Sequence, residues 1–374
     1  MDGLRKLAIS SPIRPNFSTS ACDSFAVVHI SPTLGGFECK HADLRQADLR
    51  TFFQDGLIEE SRLLGNVHNL KLVCVTYGPD SVFINERVFG EILQEIGLDP
   101  WVERLILART YGYYHSGQMT GNGVATYYLG TSLVLTIWTT RQEQSGFATK
   151  CVILVPVGDV FGGATMAFSQ LARLMTNFEL FKNDSHSVLY LPFVLSVDAF
   201  TWRERDLMRG LDTIRAVESK TGHGLWIPSH FEAGRDDITN LTARLGSALN
   251  GVGNTIKHLN IIESVWSHLE RLSDEMSDTE KSEETHVSNN SILSAIDILR
   301  QQSSNASGQA QYLELRIRSQ FSVLFALLSH EDAKINIEVA SASKDLAEAA
   351  RRDGSSMKTI AVLTMNSVLN TRVD

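Results

Sequence analysis

"LKLVCVTYGPDSVFINERVFGEILQEIG", Leu70 to Gly97, decides the fold class. Its first seven residues are a short run of branched and aliphatic side chains, the length and composition of a buried strand. Within "SVFINERVFGEILQEIG", Val82, Val88, Ile92 and Ile96 point to a helix, and Gly97 closes it. Asp99-Pro100 opens a second helix, with Trp101, Leu105 and Ile106 on one face. Pro100 falls in its first turn, where a missing N–H costs nothing.

Outward from this pair, residues 111–157 are rich in strand formers: "YGYYHSG", "GVATYYLG", "SLVLTIWTT" and "TKCVILVPV" are aromatic and β-branched runs parted by glycine-containing turns. After Gly158 the strands cease, and helical patterns cover about 164–182, 187–220, 236–276, 290–303 and 311–360. The order predicts an α+β fold: a small, mostly antiparallel sheet with helices, followed by long helices that include a stalk-like C-terminal one. The polar, acidic stretch "SDEMSDTEKSEETHVSNNS" (273–291) reads as a solvated link between two of them.

Toward the N-terminus, residues 1–65 mix proline, serine and charge around one helical pattern, "DLRQADLRTFFQDGLIEESRLL", and predict a loosely attached arm. The expected organisation is an arm (1–65), an α/β domain (66–230), a long-helix stalk region (231–365) and a short polar tail (366–374). Along the final helix Leu328, Ile335, Ala342 and Ala349 fall seven apart, with Val339 and Leu346 between them. One narrow stripe therefore faces a partner, either a helix of the same chain or a second copy.

Composition excludes several classes. The 374 residues are 43% hydrophobic with 8 prolines, enough for one large or two ordinary domains. A net charge of −9 without a clustered basic face argues against nucleic acid. Cys22, Cys39, Cys74 and Cys151 are far apart, with no C-x-x-C pair, and read as reduced, mostly buried thiols. "MDGLRKLAISSPIRPNFSTS" lacks the continuous apolar core of a secretory signal, so a cytoplasmic location is expected.

The segment "INIEVASASKDLAEAARRDGSSMKTIAVLTM" resembles the stalk of the CorA-like divalent-cation transporters, particularly the fungal branch, where it continues into the first transmembrane helix. Weaker likeness joins "LKLVCVTYGPDSVFINERVFGEILQEIGLDPWVERLI" to that family's N-terminal domain and "LYLPFVLSVDAFTWRERDL" to its helical layer, so the resemblance covers about Leu70 to Met365. Family members continue into two membrane helices with a Gly-Met-Asn pore signature. Here Thr364 precedes Met365-Asn366 in place of the glycine. A spanning helix needs about 20 apolar residues, and the 15 from Ile360 onward include Arg372 and Asp374. No transmembrane span is expected.

Chemical motifs are sparse. Asp236-Asp237 in "GRDDITNLTARL" matches a magnesium-binding D-D-x-x-N pattern, but acids also favour the first turn of any helix, which is the preferred reading. "NDSHSVLY" (183–190) lacks the final carboxylate of a second magnesium motif. Gly162-Gly163 precede a helix beginning near Ala164, as an anion site or a plain loop. "GYYHSGQMTGNGVATYYLG" lacks a phosphate-cradling pattern and reads as hairpin turns. His223 and His230 flank "GLWIP", while His258 and His268 lie ten residues apart on one helix, too far to share a metal. No catalytic residue, metal ligand or cofactor-binding residue is assigned.

The resemblance implies a pore-less CorA-like magnesium transporter homologue, acting as a regulatory or interaction protein or as a transporter fragment. It implies divalent cations such as Mg2+, which the acidic link can attract. Expected partners are weak homo-oligomers or full-length CorA-like proteins, through which the chain sits peripheral to a membrane. The alternative is an enzyme reusing the fold, for example in a fungal biosynthetic pathway.

Overall fold

The computed structural model describes residues 16–18, 24–33, 36–54, 67–78, 81–116, 123–143, 146–156, 165–223, 235–277 and 283–370. Their strands are β1 (Asn16–Phe17), β2 (Ser24–Thr33), β3 (Gly36–Arg45), β4 (Val67–Tyr77), β5 (Ser81–Val82), β6 (Gly112–Ser116), β7 (Val124–Gly130), β8 (Leu135–Glu143) and β9 (Gly146–Pro156). The helices are α1 (Leu49–Gln54), α2 (Glu86–Ile96), α3 (Pro100–Leu107), α4 (Thr165–Leu180), α5 (Tyr190–Thr221), α6 (Arg235–Ser277) and α7 (Glu283–Asn370). The fold is α+β, as the order of elements predicts.

β4 is central, as its apolar run requires. Leu70, Leu72, Val73 and Val75 are fully buried, and the one charged side chain, Lys71, donates from Nζ to the Phe52 carbonyl at 2.6 Å. The strands form one nine-stranded sheet in the order β1-β5-β4-β9-β8-β7-β6, with the β2–β3 hairpin attached to β4 through β2. The sheet is mixed: β4 and β9 pair in parallel from Val67↔Gly146 to Tyr77↔Pro156, and β1 is parallel to β5, while β6 to β9 form an antiparallel meander. It is mostly antiparallel, as expected, and with nine strands larger than the small sheet expected.

The extra strands come from within the segment expected to be an arm. Residues 24–33 and 36–45 form the hairpin, α1 follows it, and Phe25, Val27, Leu49 and Phe53 enter the core. This core lies between one sheet face and α2 and α3, whose Phe89, Ile92, Leu93, Ile96, Val102 and Ile106 meet Val73, Val75, Ile137 and Val152. The helix signals hold: Asn85 caps α2 by accepting from the Arg87 N–H at 2.9 Å, and Gly97 ends it at φ 73°. Left-handed φ of that kind is nearly free for glycine alone. Asp99 caps α3, with Pro100 following.

The chain divides into two compact units, Met1–Leu207 with Asn254–Ala310, and Met208–Gly253 with Gln311–Asp374. α5, α6 and α7 each run through both units. In the first unit Trp266 of α6 donates from Nε1 to the Ser196 hydroxyl of α5 at 2.9 Å. In the second, Ile214, Val217, Ile238, Leu241, Leu245, Leu313, Ile317 and Leu324 are buried. There Arg316 makes a bidentate pair with Glu218, at 3.1 and 2.6 Å.

α7 is one helix of 88 residues, where a break was expected between 303 and 311. The polar, small-residue stretch there is packing surface: Ser303, Ala306 and Ala310 are buried. Likewise the helix runs on to Asn370 through most of the expected tail. Of the acidic link, only 278–282 lie outside the described residues; the rest belongs to α6 and α7.

Candidate functional site

The face of α7 that is buried at Ile317 and Leu324 continues along the rest of the helix. Ile317 and Leu324 are 0% and 1% exposed, whereas every residue from 332 to 365 is exposed. At 3.6 residues per turn, Ile335 returns to the direction of Ile317 after about five turns. By the same rotation Val339, Leu346, Met357 and Ile360 fall within about 40° of it. These five large side chains mark an uncovered stripe about 40 Å long at 1.5 Å per residue, flanked by Asp332, Lys334, Glu338, Asp345 and Arg352, and interrupted between Leu346 and Met357 by Asp353, which points in the direction of Ile317. The heptad residues singled out in the sequence are brought together on this face.

The histidines serve packing and orientation in the first unit. His258 is fixed in one tautomer, because Nε2 accepts from the Ser132 backbone N–H at 2.9 Å while Nδ1–H donates to the Asn254 carbonyl. Burial, with Arg203 nearby, lowers its pKa to about 4. His268 meets His115 instead, with ring centroids 4.1 Å apart. Arg271 Nη2 donates to His115 Nε2 at 3.0 Å and to His268 Nδ1 at 2.9 Å, so both rings are neutral acceptors. Burial, His115 and Arg271 lower the His268 pKa to about 3. Tyr113, Tyr127 and Trp138 complete the ring cluster, the last two stacked at 5.1 Å. Among the described residues, neither imidazole is hydrogen-bonded to a hydroxyl or thiol that it could activate.

Asp237 is exposed near the start of α6, in keeping with the helix-start reading, and the Asp236 side chain, Gly162-Gly163, Ala164 and His230 lie outside the described residues. His223 donates from Nδ1 to the Thr221 carbonyl at 2.7 Å.

Among the described residues, one group of three metal-ligating side chains comes together: Cys39, His41 and Glu179, with their ligand atoms all within 4.8 Å of one another. Cys39 and His41 are two apart on β3, so they share a face, and Glu179 lies in the last turn of α4. Sulfur and imidazole nitrogen do not suit Mg2+, a hard cation that takes oxygen ligands in octahedral geometry. The cluster does not fit the magnesium that the resemblance implies. Composition could not reveal it, since Glu179 is 140 residues from Cys39, but C-x-H on an alternating strand was a usable signal.

No helix among the described residues is long and apolar enough to cross a membrane. No family model matches the chain, and no curated protein matches it.

Proposed function

We propose that the chain is a CorA-like, magnesium-transporter-related protein of the cytoplasm that acts through assembly, its α7 stalk docking against copies of itself or against the stalks of full-length transporters. The observation that carries this reading is the apolar stripe of α7, buried as far as Leu324 and bare from Ile335 through Val339 to Leu346. A solvated helix gains nothing from a continued apolar face, whereas stalks that associate side by side require one. The order of elements, a sheet-containing part followed by long helices, further supports it. The test is co-expression with a full-length CorA-like transporter in cells without other magnesium uptake. Co-purification that Leu346→Asp abolishes, with altered magnesium-dependent growth, is the expected result. Transporter recovered without the chain, and growth unchanged by it, would refute the reading.

A further inference from the structure

We propose that Cys39, His41 and Glu179 form a zinc site tying β3 to the C-terminal end of α4. This rests on local geometry and is independent of any role of the α7 stalk. Cys39 Sγ and His41 Nε2 are 3.6 Å apart. A tetrahedral centre with Zn–S about 2.3 Å and Zn–N about 2.0 Å holds its sulfur and nitrogen about 3.5 Å apart, so this edge is already in place. The Glu179 carboxylate closes the triangle within 4.8 Å of both.

Thiolate, imidazole and carboxylate are the ligand types zinc takes together, and three of them leave a fourth tetrahedral position for water. The position also favours a cation. Glu179 stands next to the last residue of α4, where the free carbonyls of the helix carry partial negative charge. A cation is already drawn there: the Lys182 ammonium pairs with Glu179 and interacts with Cys39. Lys182 therefore competes with a metal for Glu179 and must swing away when zinc binds; its side chain is 35% exposed. The ligands are accessible as well, His41 and Glu179 being exposed and Cys39 half-buried, whereas Cys74 and Cys151 are buried in the sheet.

The experiment is titration of the reduced, chelator-treated full chain with Co2+, followed by displacement with Zn2+. Expected are one equivalent of bound Co2+ with a near-ultraviolet thiolate-to-cobalt band and tetrahedral visible bands, all erased by Zn2+. Cys39→Ser removes the thiolate band. His41→Asn and Glu179→Gln each weaken Zn2+ binding at least tenfold, and Lys182→Ala strengthens it. Circular dichroism establishes that each variant is folded. Should Cys39→Ser not fold, the exposed His41 and Glu179 variants carry the test. Absence of the thiolate band in the folded parent, its survival in Cys39→Ser, or unchanged zinc affinity in both His41→Asn and Glu179→Gln would overturn the proposal.

Discussion

Ile335 stands about five turns beyond Ile317 on the same face of α7, yet Ile317 is wholly buried and Ile335 is 40% exposed. Two isoleucines in equivalent positions thus have different roles. Ile317 helps hold the second unit together, and Ile335 begins a surface that none of the described residues covers.

Substituting aspartate at each position separates the two roles. Ile317→Asp buries an unpaired carboxylate and should unfold the second unit. Ile335→Asp should leave the fold intact and abolish self-association. That association is expected to be weak. Full burial of a large aliphatic side chain contributes about 1.5–3 kcal/mol, but Ile335, Val339 and Leu346 are 40%, 59% and 72% exposed and gain only for what they cover. Association itself costs about 4–15 kcal/mol. Sedimentation across a wide concentration range should show a concentration-dependent shift in the parent and none in Ile335→Asp. A stable oligomer at nanomolar protein, or loss of fold in Ile335→Asp, would contradict this account.

Within the first unit, Arg173 and Asp198 join α4 to α5. Arg173 Nε and Nη2 donate to the two Asp198 oxygens at 2.6 and 2.8 Å, Asn177 donates to one of them at 3.1 Å, and the guanidinium lies 4.9 Å from the Trp202 ring centre. Asp198 is only 4% exposed. Removing one partner of a buried pair leaves an uncompensated charge, at a cost of about 3–5 kcal/mol. Arg173→Ala should lower the urea midpoint accordingly. Arg173→Lys, which cannot form the fork, should fall between it and the parent. A loss below about 1 kcal/mol for Arg173→Ala would show that Asp198 is not held as described.

Two glycines should respond to alanine with opposite signs. At Gly130, closing β7, an added Cβ would lie 2.0 Å from the Thr110 carbonyl oxygen and 2.6 Å from the Tyr128 hydroxyl, which itself donates to that carbonyl. Forcing atoms into such a site costs about 1–3 kcal/mol or more. At Gly246 in α6 nothing lies within 4 Å of the added carbon, and alanine in a helix interior is favoured by about 0.5–1 kcal/mol. Urea denaturation should therefore find Gly130→Ala destabilised and Gly246→Ala stabilised. Equal effects of the two would remove the steric argument.

What could be read from the chain alone followed from how local each signal was. The boundary residues and apolar spacing of α2 and α3 lie within a few residues of one another, and α2 ends and α3 begins where Gly97, Asp99 and Pro100 place them. The parallel pairing of Leu72 with Cys151 joins residues far apart in the chain, so the runs announce strands but not their neighbours. β2 and β3 carry weak strand signals, because Ser31 and Pro32 interrupt one run and Lys40, His41 and Asp43 stud the other with polar groups. The small side chains Ser303, Ala306 and Ala310 look like a break yet allow close helix packing. For the candidate zinc site, strand alternation brings Cys39 and His41 to one face, while Glu179 arrives only through the tertiary fold.

His68 in β4 is buried, and its hydrogen bonds fix the tautomer: Nδ1–H donates to the Ser185 carbonyl at 2.9 Å, so Nε2 accepts from the Thr149 hydroxyl at 2.7 Å, which in turn accepts from Thr140 at 3.1 Å. Burial is the main cause that lowers its pKa to about 4, with neighbouring His186 adding to it and the Ser185 carbonyl opposing it. The unfolded chain binds its proton with pKa about 6.5, so the folded state prefers the neutral ring. The resulting stability is complete above about pH 6.5 and is lost as pH falls through about 4, a change of about 3 kcal/mol at 1.36 kcal/mol per pKa unit. His258, lowered to about 4 by burial and Arg203, acts in the same sense. Urea midpoints of the parent should therefore drop between pH 7 and pH 4.5, and His68→Gln, less stable at pH 7, should drop less over the same range. In the NMR spectrum the His68 Cε1–H resonance should stay unshifted down to about pH 5. A midpoint near 6.5 for that resonance, or equal acid losses in parent and variant, would mean that the His68 ring takes up its proton freely in the folded state.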